Sequence, residues 1–395
     1  MSRGGTRLRV LHVVPWFYPA LIYGGPVQST YDLARATARA GCDVRVLTTN
    51  ANGESNLPSS SEDSTLIGDG VAVRYCERWF GDSVSPDLLR GLASEIRWAD
   101  VVHLGLTYSF PVLPTLALCK RYGKPVVWSP HGALQRYQDS RRKVLKAVWE
   151  QACRVLRPEA MVLQATSEEE ASESGWRMQC EALIVPHGVD VPEGVSHEPG
   201  TGALRLMFLG RLHPKKGIEN LLDACALLPA SFAWSLEVVG AGERKYEQAL
   251  RAKIEALRLG DRVKMCGLLT GDAKRRAFER ADVAVFPSYT ENFGMVVPEA
   301  LAHGVPVISS KGMPWSRVEE VGCGLWVDND ARTIASAIIR MREMDLLGMG
   351  TRGREWVKQE FSWNAAAAQM IRVYEEVMAR PRRSELRAAE AGGGA

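Results

Sequence analysis

Short apolar runs alternate along the chain with longer segments in which apolar residues return every three or four positions. Runs 10–14, 44–48, 71–75, 101–104 and 126–128 are rich in Val and Leu and short enough to be buried strands. Segments 27–40 and 110–122 carry the helical spacing. The rhythm restarts at 204–209 and continues through 236–239, 263–265, 283–286 and 305–309. A parallel strand pair needs a crossover long enough to hold a helix. The alternation therefore predicts an α/β protein with parallel sheets covered by helices on both faces.

The restart divides the chain. Residues 191–202 turn to Pro, Glu, Gly and Ser, the composition of a linker. A length of 395 residues suits two domains. The predicted boundaries are 1–195 and 196–362, followed by a helix over 363–380 and a disordered tail over 381–395. Each domain is expected to be doubly wound, with a crevice at the carboxyl ends of its strands. Residues 50–70 form a polar stretch too long for a plain connection, either functional or mobile.

Composition removes several function classes. A net charge of +3 gives no global field to recruit nucleic acid. The eight cysteines are scattered, without a C-x-x-C pair, which argues against zinc and against a disulfide framework. They are expected to be small core residues in a reducing, cytoplasmic protein. Residues 8–14 are too short and too charged for a signal peptide, and no run of about 20 apolar residues is present to span a membrane.

Four motifs follow predicted strands. Gly24-Gly25-Pro26 precedes the helix of 27–40. It is either a plain strand-to-helix turn or a place where the backbone approaches a ligand at a positively polarised helix start. His131, in Ser129-Pro130-His131-Gly132, is either a capping histidine or a donor to a substrate hydroxyl. Gly210-Arg211 with Lys215-Lys216-Gly217 is either a solvated basic turn or a diphosphate site. The fourth, Glu291-Asn292-Phe293-Gly294-Met295-Val296-Val297-Pro298-Glu299, is the most specific. Pro298 belongs in a first helical turn, which places the helix start near Gly294, Glu291 on the preceding loop and Glu299 in the second turn.

Weaker signals remain. Gly240 and Gly242 follow a strand without the third glycine of a dinucleotide fingerprint, and read as a tight turn lining the crevice. Asp328-Asn329-Asp330 looks like an acidic metal triplet, but its position favours capping the helix that begins at Ala331. Residues 120–157 hold ten basic side chains against two acidic ones. That segment is either an exposed amphipathic helix or a surface for anionic headgroups or a diphosphate-linked acceptor.

Together these residues resemble family 4 retaining glycosyltransferases of the GT-B fold, over roughly residues 8–377. The pair Glu291/Glu299 is the most specific mark, and Gly24-Gly25, His131, Gly210-Arg211, Lys216 and Gly240/Gly242 fall in the expected order. Phe361-Ser362-Trp363 looks like the start of that family's last helix. Several segments, among them 321–327, look like a subgroup that builds bacterial surface polysaccharides. His187 is a departure, since many relatives carry Asn there, and the change is not expected to disturb the chemistry.

The resemblance implies two Rossmann-like domains facing a central cleft, with the C-terminal helix crossing back to the first. It implies a UDP- or GDP-linked sugar donor, with no metal and no cofactor, and a glycan or lipid-diphosphate-linked acceptor. Arg211 and Lys216 would hold the diphosphate, Glu299 the ribose and Glu291 the donor sugar. Asn292, Phe293, Gly294, Met295, Val296, Gly240 and Gly242 would line the donor site. His131 would lie near the transferred sugar, and Gly24 and Gly25, counted with the donor site, near the donor phosphates and the acceptor. Catalysis would rest on His131, Arg211, Lys216 and Glu291, with peripheral contact to the inner membrane face left open. Alternatives are an epimerase-like enzyme of the same fold or a non-catalytic sugar-nucleotide scaffold. A nicotinamide dehydrogenase lacks its glycine fingerprint here.

Overall fold

The computed structural model describes residues 7–59, 64–135, 143–194, 200 and 202–380. The chain forms two compact units, Met1–Gly188 with Trp363–Ala395, and Val189–Ser362.

The first unit holds strands β1 (Arg9–Val13), β2 (Asp43–Thr49), β3 (Ala51–Asn52), β4 (Ser55–Asn56), β5 (Thr65–Ile67), β6 (Val71–Cys76), β7 (Val101–Gly105), β8 (Val126–Ser129), β9 (Met161–Ala165) and β10 (Ala182–Ile184). Helices α1 (Gly25–Arg39), α2 (Pro86–Trp98), α3 (Val112–Tyr122), α4 (Lys143–Leu156) and α5 (Glu168–Met178) connect them. The main sheet runs β10-β9-β8-β7-β1-β2-β6-β5, parallel except for β5. Strand order reverses between β1 and β7, and the crevice of such a sheet opens above the carboxyl ends at that point. β7, β8 and β9 are buried along their whole length, as strands covered on both faces must be.

Local chemistry sets the helix starts. Ser85 caps α2 by accepting from the Leu88 amide, with Pro86 in the first turn, and Ser167 caps α5 by accepting from the Glu170 amide. α3 ends on Gly123 in the left-handed conformation.

The second unit holds β11 (Leu204–Leu209), α6 (Ile218–Ala226), β12 (Trp234–Val239), α7 (Arg244–Ala256), β13 (Val263–Gly267), α8 (Gly271–Arg280) and β14 (Val283–Phe286). It continues with α9 (Val296–Ala302), β15 (Val307–Ser310), α10 (Arg317–Glu320), β16 (Gly324–Val327), α11 (Ala331–Arg342) and α12 (Leu346–Glu360). Its sheet, β13-β12-β11-β14-β15-β16, is parallel throughout, with the reversal between β11 and β14. The chain then returns to the first unit as α13 (Trp363–Ala379). Trp363, Ala366, Ala367, Met370, Val373, Tyr374 and Val377 form its buried stripe, at the spacing one helix face requires.

The structure adjusts several expectations. The helix expected at 27 begins at Gly25, because Gly24 caps it and Pro26 fits its first turn. Segment 50–70 contains the β3–β4 hairpin and the antiparallel edge strand β5 among its described residues. α9 begins at Val296 rather than near Gly294, which places Glu299 in its first turn. Gly294 has φ +79 and belongs to the preceding loop. Six of the eight cysteines are buried and two half-buried, all as free thiols. The tail 381–395 and Arg136, Arg141 and Arg142 lie outside the described residues. No helix among the described residues is long and apolar enough to cross a membrane.

Candidate functional site

In the second unit the loops after β11 and β14 emerge at the strand-order reversal. A cavity of about 610 Å³ opens there, lined by Gly210 and Arg211 after β11, Gly240 and Ala241 after β12, and Val296 and Glu299 on α9. Lys274 on α8 also lines it, a residue that sequence reading had not singled out. Its Nζ lies 2.8 Å from Glu299 Oε2. Lys216, on the short turn Pro214–Lys216, pairs with Glu291. Each carboxylate of the Glu291/Glu299 pair thus rests on its own lysine, and Arg211 supplies a further cation.

Gly240 and Gly242 have a different reason to be glycine than crevice lining alone. A Cβ on Gly240 would sit 1.8 Å from the Gly210 carbonyl oxygen, and one on Gly242 2.1 Å from that of Leu212. The two strand ends touch backbone to backbone, and this close approach excludes any side chain. Phe293 lies on the same loop as Glu291. Its ring is buried beside Trp315 and Phe361, and Trp315 Nε1 donates to its carbonyl at 2.5 Å. It anchors the loop that carries Glu291. Asn292, Met295 and Val296 are half-buried on the same loop and helix start. α9 has seven residues, too few for a large helix field, so the side-chain cations carry the positive potential here.

The acidic triplet divides its work. Asp328 pairs with Lys311 at 2.9 Å, Asn329 Nδ2 donates to the Pro287 carbonyl at 2.7 Å, and Asp330 caps α11 through the Arg332 and Thr333 amides. All three brace the loops around β14 and β16.

In the first unit, Gly24 takes φ +85, open to glycine at no steric cost, and space lies around both Gly24 and Gly25. His131 sits in a turn after β8 with φ +52, a left-handed conformation uncommon for histidine. The turn is held by Glu170, whose fully buried carboxylate accepts from the Gly132 amide at 2.5 Å and from the Thr166 amide and hydroxyl at 2.8 Å. Ser167-x-x-Glu170 is legible as a capping box, but the reach of Glu170 to Gly132 is not.

The His131 ring stacks on His187, centroids 5.5 Å apart. His187 therefore packs directly against His131. Burial lowers the pKa of both, His187 to about 3, and Glu170 partly offsets the effect on His131. Neutral imidazoles each keep one donor and one acceptor nitrogen.

Behind them runs a hydrogen-bond chain of fixed direction. Gln164 Nε2 donates to the Val185 carbonyl at 2.6 Å, so its Oε1 must receive the Ser129 hydroxyl, 2.5 Å away. Ser129 then accepts from His103 Nε2 at 2.6 Å, and His103 Nδ1 accepts from the Tyr374 hydroxyl at 2.6 Å. His103 is held as the neutral Nε2–H tautomer, and burial keeps its pKa well below 6.5. A cavity of about 10 Å³, room for one water, lies among His103, Ser129, His131, Gln164 and His187.

The chain resembles known proteins in sequence and in fold. Residues 23–193 match the model of Glycosyltransferase Family 4, and residues 196–377 match that of Glycosyl transferases group 1. This chain is a GT-B glycosyltransferase of family 4. The glycosyltransferase is 27% identical to a GDP-mannose:cellobiosyl-diphosphopolyprenol alpha-mannosyltransferase of Xanthomonas oryzae, over 96% of this chain and 99% of that one. It is 25% identical to a glycogen synthase of Mycobacterium tuberculosis, over 93% and 94%. Its fold matches a sucrose-phosphate synthase from Thermosynechococcus elongatus with TM-score 0.70 at 21% identity, covering 94% of this chain and 100% of that one. It also matches Anabaena Alr3699/HepE in complex with UDP, with TM-score 0.70 at 15% identity, over 94% and 100%.

Proposed function

We propose that this glycosyltransferase moves a hexose from a nucleotide-diphosphate sugar to a glycan or lipid-linked acceptor, with retention and without a metal ion or other cofactor. The observation that carries the reading is the set of cations at the strand-order reversal of the second unit. Arg211 and Lys274 line one cavity with Glu299, and Lys216 stands beside Glu291. A diphosphate leaving group gains negative charge as the glycosidic bond breaks, and fixed cations stabilise that charge without reorganisation. Arg211 and Lys216 take the phosphates in this reading. Glu299 accepts from the ribose hydroxyls and Glu291 from those of the donor sugar.

His131 offers a neutral imidazole N–H to a sugar hydroxyl, held in place by Glu170. The acceptor attacks from the face that the diphosphate leaves, and the departing phosphate takes the acceptor proton. No protein nucleophile is needed, so Glu291 serves as a binding group. The solved complexes of Alr3699/HepE with UDP, and with UDP-glucose, support a nucleotide-sugar donor by likeness of fold.

The test is thermal stability of the full chain against a panel of UDP- and GDP-sugars with chelator present. A donor at about 100 times its dissociation constant adds roughly 2.7 kcal/mol. The expected result is a shift with one donor class that is lost in Arg211→Ala and Glu299→Ala. No shift with any nucleotide sugar overturns the reading. An inverted anomeric centre in the product overturns its retaining part, and release of a free sugar isomer without acceptor points to the epimerase-like alternative.

A further inference from the structure

Strands β7, β8 and β9 each bury one polar side chain among apolar ones: His103, Ser129 and Gln164, none more than 4% exposed. With Tyr374 they form the hydrogen-bond network that ends on the Val185 carbonyl. The His103 ring is clamped as well as bonded. It stacks on His12 at 4.6 Å and meets the Tyr374 ring edge-on at 5.8 Å. Such a network is a weak device for stability, because apolar groups of the same shape in place of both partners of a buried hydrogen bond leave stability nearly unchanged. Its side chains are buried, so none of them meets a substrate directly. What the network reaches is the base of the His131 turn.

That turn needs holding. The Ala133 amide donates to the Pro130 carbonyl at 3.1 Å, and the two residues between them, His131 and Gly132, have φ +52 and +76. This is the pattern of a type I′ turn, whose positive φ glycine adopts freely and a residue with a Cβ only uncommonly. A residue held there costs free energy and persists where its surroundings over-determine it. Glu170 holds the far side of the turn at the Gly132 amide. Ser129 holds the near side. Its carbonyl accepts from the Leu106 amide at 2.9 Å, its hydroxyl is fixed in direction by His103 and Gln164, and Pro130 carries the backbone into the turn at a fixed φ.

We propose that His103 is a positioning residue for His131, acting through Ser129. The Nε2–H of His103 sets the rotamer of Ser129, and Ser129 with Pro130 sets where the His131 imidazole stands. The kinetic consequence rests on the reading of His131 as a group that meets the transferred sugar. The effect on the turn does not.

The test compares three variants of the full chain with the parent, each checked for folding by circular dichroism. H103L/S129A/Y374F removes both partners of the Tyr374–His103 and His103–Ser129 bonds. H103Q keeps a donor for Ser129 and an acceptor for Tyr374. S129A leaves His103 bonded to Tyr374 and covers the case in which the triple variant does not fold. Amide hydrogen exchange at Gly132 and Ala133 is expected to quicken at least about tenfold in the triple variant and about threefold or more in S129A, and to stay within about threefold of the parent in H103Q. Release of UDP from UDP-glucose, or of GDP from GDP-mannose, is expected to follow the same order, with kcat at least about tenfold lower in the triple variant and KM for the donor unchanged. Unchanged exchange at Gly132 and Ala133 in the folded variants overturns the proposal. So does a lower melting temperature with kcat unchanged, which marks the network as structural alone. A parent that releases neither nucleotide counts against the transfer reading, and the exchange measurement still decides the role of His103.

Discussion

The hydroxyl of Tyr374 donates to Nδ1 of His103 across 2.6 Å, joining residues 271 positions apart in the sequence. The bond fixes the tautomer of a buried histidine, and through Ser129 and Gln164 it orders the strand ends beneath His131. Tyr374→Phe leaves His103 Nδ1 buried without its donor. The expected cost is about 1–3 kcal/mol, read as a lower melting temperature of the full chain, with donor affinity in the second unit unchanged.

Acid should act on the first unit through its histidines. His12 and His187 have folded pKa values near 3, against an ordinary value of 6.5, because burial disfavours their charge. Between these values the unfolded chain binds more protons than the folded one, so stability rises with pH. The contribution is complete above about 6.5 and is lost as pH falls towards 3. Each such histidine adds a slope of about 1.4 kcal/mol per pH unit in that window. Denaturant titrations from pH 7 to pH 4 should be shallower in His187→Asn than in the parent.

Lys274 holds Glu299 across 2.8 Å on the wall of the second unit's cavity. Lys274→Ala removes the cation that orients Glu299, and the partly exposed pair itself contributes less than about 1 kcal/mol to stability. Calorimetric titration with the donor that stabilises the protein should show affinity at least about tenfold weaker, with the melting temperature of the free protein nearly unchanged. Equal affinity would place Lys274 outside the donor site.

Glu170→Gln replaces a carboxylate that accepts from Gly132 and Thr166 by an amide with one acceptor oxygen. The His131 turn loses a bond that holds its left-handed backbone. The expected outcome in steady-state kinetics is a fall in kcat of roughly tenfold or more, with binding of the donor unaltered. A fall in donor affinity alone would contradict this role.

Gly240→Ala places a methyl group 1.8 Å from the Gly210 carbonyl oxygen. Backbone must move, and the expected loss of stability exceeds about 2 kcal/mol. Circular dichroism melts, compared with Gly260→Ala, where nothing lies within 4 Å, separate the close approach from a general effect of losing glycine.

The fold was legible because its signals are local and repeated. Buried strands such as β7 and β8 announce themselves as unbroken apolar runs, and Gly24-Pro26 and Asp330 mark helix starts by chemistry of a few residues. The candidate residues Arg211, Glu299, Gly210 and Gly240 were legible for a similar reason, as each follows a strand that ends at the crevice. Lys274 and Glu170 were not, because both lie on ordinary-looking amphipathic helices and their partners are 25 and 38 residues away. The burial of the Phe293 ring was not legible, since its motif gives its neighbours on the chain and not the aromatic cluster behind it. The contact between His187 and His131 was not legible because stacking between rings leaves no trace in spacing.

The second unit is one uninterrupted stretch, Val189–Ser362, whereas the first is assembled from two stretches that flank it. On the ribosome the inserted unit has all its residues before the first unit has its last helix. Until Tyr374 emerges, the nascent first unit lacks the helix that covers apolar residues of α1 and the sheet, the kind of exposed surface that promotes aggregation. A chain that stops at Ser362 should therefore keep a folded second unit beside a first unit that aggregates or is degraded.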